Sequence, residues 1–310
     1  MSKSLRFGLV TTDQGWLTNE LGALDASSFD AVYVVDHPAF PAPDPWTWLG
    51  FAAARTERIR LGTHVTGAPF HHPTALAREV ATVDRLSNGR ATLGIGTGYE
   101  REDFEPFGFP MQPFADRLAM LDEVLEILRS LWTEDVTEFD GAHFRLSGGA
   151  RFGPKPVQSP HPPIVVGLNR AGEALRIAVR HAQAINTWQL GPAQVRDLHF
   201  ELEAACESAG RDPATLELTS DVLLARDASR SDAERLAVLV RDAARSWGRS
   251  PSVTEWGAEG VLHGDAEAVA EQAGRFQDAG VTELGVAVNH VDELHWFSED
   301  VIPRLRGVRN

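Results

Sequence analysis

The sequence predicts an α/β protein built as a closed (β/α)8 barrel, the TIM-barrel architecture, with an insertion after the fourth βα unit. Three observations carry this prediction. Short apolar segments alternate from end to end with helical patterns of about 10–15 residues, the rhythm of βα units around a parallel sheet. The apolar segments are nearly continuous runs, as strands covered on both faces are. Right-handed crossovers leave an open doubly wound sheet or a closed barrel, and eight such segments favour the barrel.

The first strand is LRFGLVTT at 5–12, followed by a helix at 18–28. AVYVVD at 31–36 is the second, then a proline-rich loop, PAFPAPDP, and a helix at 46–56. IRLGTHVTG at 59–67 is the third, and Pro73 opens the next helix at 73–87, where its missing N–H costs little. ATLGIGTG at 91–98 is the fourth strand, with a glycine-rich exit. A long amphipathic helix at 114–131 leads into an excursion at 132–162, rich in Gly and Pro, with short strands near TEFDG and HFRL. Strands five to eight follow at 162–167, 182–188, 215–225 and 282–288. Helices are expected at 171–181, 193–209, 230–246, 265–279 and 292–305. There is no short repeat and no low-complexity linker, so residues 1–310 read as one domain.

Composition narrows the function classes. With 29 Lys and Arg against 44 Asp and Glu, the formal net charge is -15. That balance argues against nucleic acid or an anionic membrane surface as partner, because phosphate arrays need neutralising cations. It leaves room for one phosphorylated cofactor in a local pocket. No apolar run reaches the ~18 residues of a membrane span. MSKSLRFGLVTTD lacks the pattern of a signal peptide, and the single Cys206 cannot form an internal disulfide, so a cytoplasmic setting is expected with Cys206 inert.

In a barrel, the chemistry gathers where strands end. The residues at those ends are Asp36 and His37, His64 to Thr66, Thr97 to Glu100, Gly167 to Arg170, and Trp188. His37 is the natural proton donor or acceptor, while Asp36 either orients it, meets a cofactor N–H or caps the loop. His64 is an awkward residue in an apolar strand and reads equally as a satisfied core histidine. Thr66 either offers its hydroxyl to a ligand or fills a β-branched strand position. His71 and His72 precede a helix, and no compact metal-ligand set exists. Asn169 and Arg170 begin a helix whose N–H groups suit a phosphate; Arg170 otherwise faces solvent. Glu100, Arg101 and Glu102 read as solvated loop charge. Of eight tryptophans, Trp16, Trp46 and Trp188 are candidates to wall a planar cavity, although Trp46 and Trp48 also suit ordinary packing.

Several stretches then resemble the luciferase-like monooxygenase superfamily: FDAVYVVDHPAF, TERIRLGT, HHPTALAREVATVDRLSNGR and LGIGTGY in that order, then PPIVVG, ALRIAVRHAQAINTW and GDAEAVAEQAGRFQDAGVTELGV. The resemblance implies the same barrel, with 132–162 as the insertion after the fourth unit. It implies an isoalloxazine or deazaflavin ring over a bulge in strand three, lined by His64, Val65 and Thr66, often with a non-prolyl cis peptide, here at His64–Val65 or Val65–Thr66. Asp36 and His37 match an Asp-His pair at the ring edge and the substrate. Gly96, Thr97 and Gly98 match the strand-four exit, and Gly167 starts the phosphate loop. Gly167-Leu168-Asn169-Arg170 departs there from the usual Gly-Gly run.

No G-x-S-x-G, CxxC or P-loop supplies a nucleophile or nucleotide cradle, which fits redox chemistry carried by a cofactor. The first expectation is an oxidoreductase using coenzyme F420 for hydride transfer to or from a small organic substrate. The alternatives are a reduced-FMN-dependent monooxygenase served by a partner flavin reductase, and a non-catalytic flavin-binding barrel. Family resemblance further implies a homodimer or higher homo-oligomer. Substrate choice is expected from the loop at 37–45 and the excursion at 132–162.

Overall fold

The computed structural model describes residues 4–246 and 258–307; residues 1–3, 247–257 and 308–310 lie outside the described residues. The first half runs β1 (Arg6–Thr11), α1 (Gln14–Ala26), β2 (Ala31–Val34), α2 (Pro45–Ala53), β3 (Arg60–Thr63), β4 (Thr66–Gly67), α3 (Pro73–Leu86), β5 (Ala91–Gly96) and α4 (Phe114–Thr133). A hairpin, β6 (Thr137–Asp140) and β7 (Arg145–Ala150), follows. The second half runs β8 (Ile164–Gly167), α5 (Glu173–His181), β9 (Ala184–Trp188), α6 (Pro192–Ser208), β10 (Glu217–Arg226), α7 (Arg230–Ser246), β11 (Val261–Gly264), α8 (Ala266–Asp278) and β12 (Glu283–Ala287). Helix α9 (Val291–Trp296) then passes through a π-turn into α10 (Ile302–Leu305).

Helix starts follow local chemistry. Asp13 caps α1 by accepting from the Gly15 N–H, Asp44 caps α2 ahead of Pro45, and Asp265 caps α8. The α1 cap places that helix four residues earlier than the apolar pattern suggests.

The parallel strands pair in the order β1, β2, β3 with β4, β5, β8, β9, β10, β12 and back to β1, which closes the predicted eight-stranded barrel. The third strand is broken: β3 ends at Thr63, β4 begins at Thr66, and the His64–Val65 peptide between them is cis. The added strand β11, which the strand pattern in the sequence does not mark, pairs with the far end of β10. The hairpin occupies the expected insertion. It is held because Glu123 of α4 accepts the N–H groups of Ala142, His143 and Phe144, while buried Asp84 accepts those of Val157 and Gln158.

Alternate strand residues face opposite sides. Phe7, Leu9, Val32, Leu61, Leu93, Leu218 and Leu284 pack outward into one continuous core with the helices, each fully buried large side chain stabilising by about 1.5–3 kcal/mol. The inward set is mixed: Val10, Ala31 and the Tyr33 ring form a small apolar cluster, beside which buried polar side chains pair with one another. Tyr33 donates to Glu283 at 2.5 Å, Arg6 donates to Glu283 at 3.0 Å and pairs with Glu217, and Thr219 donates to Asn186 at 2.8 Å. Burial, with the Glu283 carboxylate alongside, holds the Tyr33 phenol well above its ordinary pKa. Glycines make this interior possible: a Cβ on Gly8 would stand 2.7 Å from the Tyr33 ring, and one on Gly285 would stand 2.0 Å from Asp221 Oδ1.

Candidate active site at the barrel mouth

Because the barrel is parallel, the exits of its strands share one end. At the exit of β2 two consecutive residues diverge. Asp36 is buried, with Oδ2 2.7 Å from His71 Nε2; His71 Nδ1 lies 3.6 Å from Glu79. A carboxylate near each nitrogen, one within hydrogen-bond distance and one beyond it, favours the imidazolium form of His71. Burial opposes that charge, but the hydrogen bond to Asp36 and the nearby Glu79 carboxylate outweigh it and push the pKa up to about 10.

His37 turns the other way. Its Nδ1 is 2.6 Å from Asp103 Oδ2, and Asp103 Oδ1 accepts the Ala39 N–H at 3.0 Å. The ring stacks on Phe40, and Nε2 faces the Tyr99 hydroxyl at 3.4 Å. Asp103 belongs to a short 3-10 turn, Arg101–Asp103, in the loop after β5, so this pair bridges the exits of two strands.

At the break in the third strand, the His64 imidazole points into the barrel. Nδ1 is 3.0 Å from Asp221 Oδ2, the ring lies flat on Tyr33 at 3.6 Å, and Nε2 is buried without a partner. What this segment offers at the mouth is Val65. Its methyl groups would lie 3.0 and 3.1 Å from Cβ atoms built on Gly96 and Gly167, so these two glycines form a shallow seat around it. The Thr66 hydroxyl is committed: it accepts from Trp46 Nε1 at 3.1 Å and donates to Thr63 at 3.1 Å. Trp46 is buried, and its indole N–H serves this packing.

Beyond β5, Gly98 adopts φ +67, and half-buried Thr97 donates to the Gly98 carbonyl at 3.4 Å. Beyond β8, Leu168 is buried, and its N–H donates to the Asn186 carbonyl. Asn169 clamps the neighbouring strand exit, donating to the Trp188 carbonyl at 2.9 Å and accepting the Trp188 N–H at 2.8 Å. Exposed Arg170 lines a groove of about 400 Å³ with Asn169, Gly172, Gln194, Asp197 and Glu201. Trp188 and Trp16 are half-buried; Trp16 packs on the main core with its Nε1 buried and unpartnered.

Sequence reasoning passed over several residues. Asp103 sits at the end of a charged run that reads as solvated loop, yet it is 1% exposed, and Glu100, expected in solvent, is 2% exposed. Only the turn geometry separates them from exposed Arg101. Gln14 and Gln189, at the exits of β1 and β9, are fully buried with both amide atoms unpartnered. Neither carries a sequence signal beyond its place after a strand.

The sequence pattern of luciferase-like monooxygenases matches residues 20–283. Uncharacterized protein Rv0953c of Mycobacterium tuberculosis is 33% identical over 239 residues, covering 67% of this chain and 80% of that one. The F420-dependent glucose-6-phosphate dehydrogenase of Nakamurella multipartita is 25% identical over 336 residues, covering 98% and 97%. Among solved structures, coenzyme F420-dependent tetrahydromethanopterin reductase from Methanopyrus kandleri superimposes with a TM-score of 0.80 at 18% identity, over 98% of this chain and 100% of that one, a likeness of fold. With the broken third strand, the glycine seat and the histidine at the second strand's exit, these matches make the chain a member of the luciferase-like monooxygenase family, whose enzymes are F420- or FMN-dependent oxidoreductases and monooxygenases.

Proposed function

We propose that this chain is an oxidoreductase that uses coenzyme F420 for hydride transfer to or from a small organic substrate, with His37 handling the proton. The observation that carries this reading is the setting of His37. Its Nδ1 is bound to Asp103, and its Nε2 is directed at a 40%-exposed phenol at the barrel mouth, where a proton can exchange with substrate or solvent. The F420-dependent relatives that align with nearly the whole chain support the cofactor choice.

The residues present fit such a cofactor. Val65, Gly96 and Gly167 form a low seat suited to the face of a ring system, and Gln14, Gln189 and Trp16 hold buried polar atoms without partners at strand exits. Asn169 and Arg170 would hold a phosphate beside the start of α5. When bound, a deazaflavin supplies the site for the hydride. The chain's own work is to seat the ring, to keep the Asp36–His71 ion pair at the wall, and to hold or release a proton at His37 Nε2.

A second reading, a reduced-FMN-dependent monooxygenase supplied by a flavin reductase, draws on one observation. The groove beside Arg170 also carries Asp197 and Glu201, a charge mixture better suited to a single phosphate than to a polyanionic tail. Spectral titration of the purified protein with F420 and, separately, FMN decides between them. Tight F420 binding with weak FMN binding is expected; the reverse overturns the first reading in favour of the second, and binding of neither overturns both.

A further inference from the structure

We infer that Asp103 is the positioning residue for His37: it holds the imidazole in the form that carries its proton on Nδ1 and thereby makes Nε2 the atom that exchanges protons at the mouth. The inference rests on the reading of His37 as the proton-handling group, and it assigns the orienting role to a carboxylate 66 residues away instead of the adjacent Asp36. Asp36 is unsuited to that role because its Oδ2 is committed to His71.

The argument is one of donors and acceptors. An ionised carboxylate can only accept, so a 2.6 Å contact from Asp103 Oδ2 places the shared proton on His37 Nδ1 whether the ring is neutral or cationic. Nε2 is then the nitrogen whose protonation changes. Phe40 stacked at 4.5 Å and Tyr99 edge-on at 5.6 Å restrict the ring's rotation, so the assignment is one of geometry as well as charge. The Tyr99 hydroxyl, 3.4 Å from Nε2, gives that nitrogen a partner that reaches solvent.

A loop tie alone does not account for Asp103. Its Oδ1 accepts the Ala39 N–H, a bond that an asparagine would make equally well at a smaller desolvation cost. The Asp103 side chain is 2% exposed, and burying an ionised carboxylate where an amide would serve points to a use for the charge.

Asp103→Asn separates the two roles. The amide oxygen keeps the Ala39 bond, while the amide N–H2 faces Nδ1, which must then accept, and the imidazole proton moves to Nε2. The comparable exchange in a hydrolytic triad keeps the geometry and lowers kcat by about 10⁴ through the wrong tautomer. The experiment is nitrogen NMR of protein labelled at histidine, with the His37 signals assigned from their loss in His37→Gln, alongside the rate of diethyl pyrocarbonate modification at His37 followed by peptide mass.

The native protein is expected to show the Nδ1–H form. Asp103→Asn should show the Nε2–H form, with modification slowed about tenfold because the exposed nitrogen no longer offers a lone pair, and with the melting temperature nearly unchanged. A native Nε2–H form, or a tautomer indifferent to Asp103→Asn, overturns the inference. If Asp103→Asn unfolds the protein, Asp103→Glu supplies the answer: retention of the Nδ1–H form supports the role of the charge and its loss overturns it. Neither readout needs cofactor or substrate, so failure of the F420 titration would leave this result standing and sink only the functional reading.

Discussion

Two histidine–aspartate pairs, whose histidines follow β2 and β3, do different work. His37–Asp103 sits across the mouth, and His64–Asp221 sits inside the barrel. Both imidazoles present Nδ1 to a carboxylate, at 2.6 and 3.0 Å. Their other nitrogens differ: His37 Nε2 meets the half-exposed Tyr99 hydroxyl, whereas His64 Nε2 is buried with no partner. Asp221 also accepts from Asn186 at 2.9 Å, and Gly285 leaves room for it by having no side chain. The same pair of residue types is therefore a route for protons where one nitrogen can reach solvent, and a fixed wedge where neither can.

The largest expected effect comes from breaking the interior pair. Asp221→Ala leaves His64 Nδ1 and Asn186 Nδ2 each without its acceptor in a closed space, which should cost about 2–5 kcal/mol. Asp103→Ala removes one side-chain and one backbone bond at a loop and should cost only about 1–2 kcal/mol. Urea unfolding of both variants checks the contrast. Equal losses would show that the mouth pair is as structural as the interior one.

A smaller effect, and one that depends on pH, is expected at His71. Its pKa is raised to about 10 from an ordinary 6.5, so the proton it holds stabilises the fold fully below pH 6.5. That contribution fades as pH rises through about 10. His71→Gln should therefore lose on the order of 2–3 kcal/mol near pH 6, with the deficit shrinking steadily toward pH 10. A deficit that is flat across this range would mean that His71 acts by packing and not as a cation.

The comparison also explains which parts of the molecule were legible in the sequence. The barrel was legible because its outward residues, such as Leu9, Val32 and Leu218, are apolar and bounded by glycines, prolines and helix caps, all local signals. The polar interior was not, because Tyr33, Asp221 and Glu283 alternate with those residues and acquire meaning only when the sheet closes and brings β2, β10 and β12 around one axis. His37 was visible from its place at a strand exit. Asp103 was hidden because a 3-10 turn sends one member of a charged run inward while Arg101 stays in solvent, and no periodicity marks that choice. His64 carried two readings in sequence, and the inward course of its side chain depends on the break between β3 and β4, a feature of the paired sheet. The early start of α1 was legible in principle, since Asp13 is an ordinary capping residue, but the apolar pattern is weak in its first turn.

The smallest expected effect sharpens the comparison on the opposite side of the mouth, where an amide instead of a carboxylate does the fastening. Asn169 satisfies both backbone groups of Trp188, and Asn169→Ala returns them to water at a half-buried site, at a cost of about 1 kcal/mol. In a chain of this size that corresponds to a melting shift of roughly 2 °C. The same change frees the loop that presents Arg170, so affinity for a phosphate-bearing cofactor should fall by about tenfold, equivalent to about 1.4 kcal/mol of lost preorganisation. Calorimetric melting and cofactor titration on one preparation measure both. A binding loss that exceeds the stability loss would mark the bonds at the mouth as devices for position. A stability loss with unchanged binding would assign the Asn169 clamp to the fold and leave Arg170 facing solvent as a surface charge.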